Sequence, residues 1–219
     1  QAKIIPELLK GLHTDDSISP NRTAIVLPDE HLLLPVLNSL PEELKGVNVT
    51  MGYPVYLTPA YSFLLSLINL QQNAKKTSKE IQFYHKDVLS VLNHQYLGII
   101  RDDKVNRLIE NIHKHNKIYL NSNELRIHSL FQSVFSHPES YASLSEYLLD
   151  NYYRFYQLLK NRSGNNDQSL KMELESLYYI YLAIKRLKEV FLQLKAEVKT
   201  DTYFRILERV VKNQRIPFQ

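Results

Sequence analysis

Apolar residues recur at three- and four-residue spacing along most of this chain, and two short continuous apolar runs near its start break the rhythm. The longest periodic stretches come late. From Pro138 to about Asn161, Tyr141, Leu144, Leu148, Tyr152, Phe155 and Leu159 form one stripe; from about Asp167 to Lys199, Leu170, Leu174, Leu177, Tyr181, Ile184, Leu187, Phe191, Leu194 and Val198 form another. Such spacing predicts two long amphipathic helices, the second about 45 Å long at about 1.5 Å per residue. The polar link Arg162-Ser163-Gly164-Asn165-Asn166 folds them into an antiparallel hairpin. A last helix is expected from Thr200, as its N-cap, to about Asn213, with residues 215–219 returning as a strand.

The first third reads differently. Residues 1–12 predict a helix, and a polar linker with a proline stop follows it. Arg22 to Leu27 reads as a buried strand, Pro28-Asp29-Glu30 as the acidic start of a helix carrying Leu32, Leu33, Val36, Leu37 and Leu40. After a loop at 41–46, Val47 to Met51 is β-rich and stops at Gly52. Thr58 is placed to cap a helix that has Pro59 at its first position and Phe63, Leu64, Leu67, Ile68 and Leu70 on a broad apolar face. Two strands joined through a helix imply a parallel β-α-β unit, which needs a sheet with more strands than this chain supplies.

Beyond Leu70, residues 71–80 read as a polar linker, and helical periods resume at Phe83, Val88, Leu89 and Leu92 and at Val105, Leu108, Ile109 and Ile112. Ile118-Tyr119-Leu120 reads as a brief extended segment, and Leu125 to Phe135 is weakly helical. The fold class expected is therefore mainly α with a small parallel α/β part. Residues 1–72 and 200–219 form a partial α/β layer, and residues 73–199 a helical insertion.

At 219 residues, 44% hydrophobic and 23% charged, the chain can bury a substantial core. It has no Cys, which excludes disulfides and thiol chemistry and fits a reducing compartment. No apolar run reaches the roughly 18 residues of a membrane span, so the expectation is a soluble, cytoplasmic protein without a membrane partner. The opening at Gln1 inside a helix and the ending at Ile216-Pro217-Phe218-Gln219 suggest a piece of a longer polypeptide. The net charge of +4 is uneven: residues 1–70 hold four Lys/Arg against seven Asp/Glu, residues 71–165 thirteen against nine, and residues 166–219 ten against seven. The basic surplus of the helical part suits either an anionic partner or a solvated Lys-rich surface.

Candidate chemistry is sparse. Asp29 followed by Glu43-Leu44-Lys45 matches a PD…(D/E)xK nuclease pattern, in which two carboxylates share a divalent metal and the lysine assists water. That chemistry needs the second pair on a strand beside the first Asp, whereas Glu43 to Lys45 precede Gly46 in a loop. His113 and His115, two apart, lie on different sides of a helix, and His85 and His94 fall near helix ends. No phosphate-binding glycine motif and no nucleophile elbow occur, so no catalytic, cofactor-binding or metal site is assigned. Fifteen tyrosines stand out. Most sit at core spacing, but Tyr153, Tyr156 and Tyr179 are placed to face outward, and with Lys185, Arg186 and Lys188 they make a candidate nucleic-acid contact or a solvated helix face.

The order TAIVL (23–27), PDEHLLLPVL (28–37), VNVTMGYP (47–54) and TPAYSFLLSLINL (58–70), followed by helices, resembles the start of the second RecA-like motor domain of UvrD/RecB-type superfamily 1 helicases with its inserted helical subdomain. Gly52-Tyr53 matches that family's Gly-aromatic turn, and Phe83–His94 its first inserted helix. The likeness covers about residues 20–97, with Arg215–Gln219 as the return strand, and is greatest to AddB/RecC-like, inactivated-helicase subunits of helicase–nucleases. Thr58-Pro59-Ala60 stand where active helicases place charged residues, which suits the inactivated subclass. The resemblance implies a parent ATP-dependent exonuclease subunit acting in DNA repair and recombination, with DNA and a partner helicase–nuclease subunit as its partners. It places the PD-(D/E)xK nuclease domain elsewhere, so Asp29, Glu43 and Lys45 do not inherit that role. Two other readings stay open: a helical protein–protein interaction module without DNA affinity, and a metal-dependent nuclease using Asp29, Glu43 and Lys45.

Overall fold

A computed structural model of the chain describes residues 2–13, 22–41, 44, 47–78, 80–115, 117–161, 168–195 and 198–217. It divides into two compact units, residues 1–53 with 217–219 and residues 54–216. Among the described residues eleven α-helices are joined by five short strands, so the protein is mainly helical with a small sheet. No described helix is long and apolar enough to cross a membrane.

In the first unit a 3-10 turn at Ala2–Ile4 leads into α1 (Ile5–His13), and a second at Glu30–Leu32 leads into α2 (Leu33–Leu37). Leu9, Leu33 and Val36 are buried. The strands expected at 22–27 and 47–51 do not form: residues 23–27 and 47–50 have no strand structure. Ile25, Val26 and Val47 stay in solvent, Val26 85% and Val47 49% exposed, while Leu27 and Val49 are half-buried. Ile25 and Val49 therefore make no parallel pair, and the mini-sheet anticipated from the sequence is absent from the described residues. A parallel strand contributes only when neighbours on the same sheet satisfy its N–H and C=O groups, and a lone β-α-β unit supplies too few of them.

The second unit begins where β1 (Tyr53–Pro54) follows Gly52. Next comes α3 (Pro59–Gln72), whose N-terminus is built as its sequence prescribes. The Thr58 hydroxyl accepts from the Tyr61 N–H at 3.4 Å and donates to the Val55 carbonyl at 2.6 Å. Phe63, Leu64, Leu67, Ile68 and Leu70 are all buried. Phe63 is packed edge-on against Phe155 at 4.7 Å and Tyr96 at 5.5 Å between ring centroids, geometries that aromatic quadrupoles favour.

The polar linker expected at 71–80 instead opens an antiparallel sheet. β2 (Lys75–Lys76) pairs with β3 (Ile81–Tyr84), and β3 with β4 (Tyr119–Asn121), in the order β2-β3-β4. The hairpin turn has no glycine; it is closed by the Thr77 hydroxyl, which donates to the Glu80 carbonyl at 2.7 Å. Between β3 and β4 lie α4 (His85–Leu92), α5 (Gln95–Gly98) and α6 (Asp103–Lys114). Asp102 caps α6 by accepting from Val105 N–H at 2.9 Å, and Val105, Ile109 and Ile112 form its buried stripe. Of the stretch read as weakly helical, Leu125 to Phe135, only residues 129–134 form a helix, α8 (Ser129–Val134); a second short helix, α7 (Ser122–Leu125), ends where that stretch begins.

α9 (Tyr141–Lys160) and α10 (Gln168–Leu194) are the two long helices. Tyr141 meets Phe191 while Glu146 meets Lys188, so residue numbers run in opposite senses and the pair is antiparallel. The Tyr152 hydroxyl ties α9 to α3 by donating to the Ala60 carbonyl at 2.7 Å. α11 (Thr200–Lys212) buries Tyr203, Phe204, Leu207 and Val211. Lys199, not Thr200, stands at its N-cap and gives no side-chain hydrogen bond. Finally β5 (Arg215–Ile216) pairs with β1, and the Val55 N–H donates to the Gln214 carbonyl at 3.1 Å. The helical unit thus starts and finishes at one point. α3 and α11, which the sequence assigns to the α/β layer, fall within it, since the division lies at Tyr53/Pro54 and Ile216/Pro217.

Candidate nucleic-acid interface

The six side chains singled out for nucleic-acid contact all lie on α9 and α10, and the helical phase sorts them. Each helix turns most of its stripe of Leu, Phe and Tyr into the core, Leu194 at the end of α10 being 67% exposed, so a residue on the side away from that stripe faces water. Tyr153 does so and is 56% exposed. Lys185 and Arg186 are exposed, and neither is ion-paired among the described residues. Lys188 is half-buried and spent on the Glu146 carboxylate across the helix pair. Tyr156 and Tyr179 are half-buried and packed against the core. The residue that sequence reasoning missed is Tyr178, 51% exposed and touching Tyr179 edge-on. Its phase, about 100° from Leu177 and about 120° from Ile184, was the available signal.

The Glu146–Lys188 pair sets the register of the outer groove. Two turns along each helix from that pair come Tyr153 on α9 and Tyr181 on α10, with Lys185 one turn from Tyr181 and Tyr178 two turns from Lys185. Lys185 therefore stands in phase between Tyr178 and Tyr181 on one side of α10, with Tyr181 half-buried against the core and Arg186 about 100° further round the helix; exposed aromatics beside unpaired cations are the composition that stacks bases and meets phosphates. Glu175 and Glu189 share the helix, so the face is only mildly basic. Arg154 is not available: it donates to Asp150 at 2.8 Å. Burial pushes the Asp150 carboxyl up, but the hydrogen bonds from Arg154 and Ser133 outweigh it and hold the group below its ordinary value.

Other chemistry-bearing groups resolve into structure. Ser62 Oγ lies 2.9 Å from His94 Nε2, the contact of a nucleophile with its base. His94 is, however, the N-cap of α5, and its Nδ1 accepts from the Tyr96 N–H at 3.2 Å. With Nδ1 unprotonated, the proton sits on Nε2, so the ring donates to Ser62 and cannot take its proton. Burial also drives the His94 pKa down to about 4. Asp29 holds the turn ahead of α2, where its Oδ1 accepts from the His31 N–H at 2.9 Å. Glu43 and Lys45 lie outside the described residues. His85 and His115 each place Nδ1 3.1 Å from a backbone carbonyl, of Ile118 and Asn111 respectively. Gly52 precedes β1 and Tyr53 is its first residue, so the Gly-aromatic pair is extended rather than a turn, and burial raises the Tyr53 pKa. Comparison of the chain with protein-family models, with curated proteins and with solved structures found no match to any of them.

Proposed function

We propose that this chain is a non-catalytic part of a subunit that processes double-strand DNA ends for recombinational repair, of the AddB/RecC-like kind. In this reading the helical unit guides a DNA strand and packs against the motor and partner subunits. One observation carries it: the helical unit begins at β1 and ends at β5, which pair, the connectivity of an inserted subdomain, beside the Gly52-Tyr53 sequence that resembles the family's Gly-aromatic turn. The exposed Tyr153, Lys185 and Arg186 supply its contact with the strand, through stacking and phosphate charge. The reading takes no support from residues 23–27 and 47–50. The parent's ATP-dependent exonuclease activity, its PD-(D/E)xK nuclease domain and its cytoplasmic setting belong to the same proposal, and no cofactor is assigned to this chain.

A second reading, a helical protein–protein module without DNA affinity, is favoured by the exposed Val190, Leu192 and Leu194 near the end of α10. Fluorescence anisotropy of a labelled single-stranded oligonucleotide over a salt series separates the two. DNA guiding predicts binding that weakens with salt, and a slope about 0.7 shallower for each phosphate contact removed in the Lys185→Glu/Arg186→Glu variant. Absence of binding at low salt selects the second reading. Magnesium-dependent cleavage that is lost in Asp29→Ala would replace both with the metal-dependent nuclease of Asp29, Glu43 and Lys45.

A further inference from the structure

Away from the α9–α10 face, the second unit has a cavity of about 400 Å³, lined by Gln71 and Gln72 of α3, Lys76, His137, Glu139 and the first turn of α11. Its floor is apolar, from Leu144 and Phe204. The polarity of its wall is fixed by a relay. Gln71 is buried, and its Nε2 donates to the Ser136 carbonyl at 2.9 Å. Its Oε1 must therefore accept, and it does so from His137 Nδ1 at 2.9 Å. The imidazole is left as the Nδ1–H tautomer, with the lone pair of Nε2 as its remaining polar group. Burial lowers the pKa of His137, which keeps the ring in this acceptor form at neutral pH.

The charges around the ring point the same way. Lys76, the one Lys or Arg among these lining residues, is committed to Glu139. Asp201 also lines the cavity and has no ion-pair partner among the described residues. The lining residues therefore carry acceptors (His137 Nε2, the Asp201 carboxylate and the remaining Glu139 oxygen) beside an apolar floor, and their one cation is paired with Glu139. The complement is a flat cation with several N–H donors and apolar faces.

We infer that this cavity binds a guanidinium group, from an arginine side chain of a protein partner or from a small free guanidinium compound. The test titrates the isotopically labelled full chain with ethylguanidinium and, separately, with N-acetyl-arginine amide, following the Gln71 side-chain amide and the His137 ring nitrogens by NMR. Saturable shifts at both residues are expected, with binding about threefold to fivefold weaker in Asp201→Asn, the size of one exposed ion pair. Tighter binding of the arginine amide identifies a protein side chain as the source, and equal binding a free cation. Shifts that grow without saturating, saturable shifts that Asp201→Asn leaves unchanged, or an equal response to inorganic phosphate would overturn the assignment.

Discussion

Lowering the pH should loosen this protein through His94, and the structure gives the size and window of the effect. The ring is held neutral: Nδ1 caps α5 by accepting from Tyr96 N–H, Nε2 faces Ser62, and the aromatic rings of Phe63 and Tyr96 lie 5.1 and 4.9 Å away. Burial moves its pKa from 6.5 to about 4. The folded value lies below the unfolded one, so between these limits the unfolded chain binds more protons. Stability is therefore complete above pH 6.5, falls as the pH drops through the window, and stops falling below about 4. At about 1.4 kcal/mol per pK unit the ceiling is about 3 kcal/mol, and partial exposure of the ring to water reduces this to about 1–2 kcal/mol. Urea unfolding measured from pH 7.5 to 4.5 tests this against His94→Asn, which keeps a capping oxygen but does not titrate. The wild-type curve should descend more steeply than that of the variant by this amount. Parallel curves would refute the assignment of tautomer and cap.

Three further outcomes follow from the packing. Phe63→Ala removes a fully buried ring in contact with four others and should cost about 3–5 kcal/mol in urea unfolding; a loss below about 1 kcal/mol contradicts the core described. Asn151 is fully buried on α9, with Nδ2 donating to the Tyr147 carbonyl and Oδ1 without a partner among the described residues, so Asn151→Leu should raise stability by about 1 kcal/mol. A raised urea midpoint checks it. Ser140 and Ser143 form a reciprocal capping box at the start of α9, and Ser140→Ala should lower stability by about 1 kcal/mol, read as a lower thermal midpoint by circular dichroism.

What could be read from the residues was what local chemistry decides. Thr58-Pro59 fixed the start of α3, and the 3.6-residue stripes located α9 and α10 because each helix needs only its own face to be recognised. The Ile118–Leu120 segment was legible as extended and is β4 in part, yet its partner was not. Phe83 read as the first position of a helix, but it belongs to strand β3 (Ile81–Tyr84), whose pairing with residues 119–121 is remote in sequence and whose turn carries no glycine signal. The opposite failure occurred at residues 23–27, where β-branched composition promised a strand that no neighbour completes. At the candidate interface, Lys185, Arg186 and Tyr153 were legible from helical phase. The neutralisation of Lys188 was not, since Glu146 is brought to it only by the packing of α9 on α10.

The central claim, that the outer face of α9 and α10 takes a DNA strand, is tested most directly by NMR mapping of a single-stranded oligonucleotide on the full chain at low salt. Strand binding on this face predicts saturable perturbations at Tyr153, Tyr178, Lys185 and Arg186 that fade as salt is raised. Perturbations confined to other surfaces, or none at any salt, would contradict it.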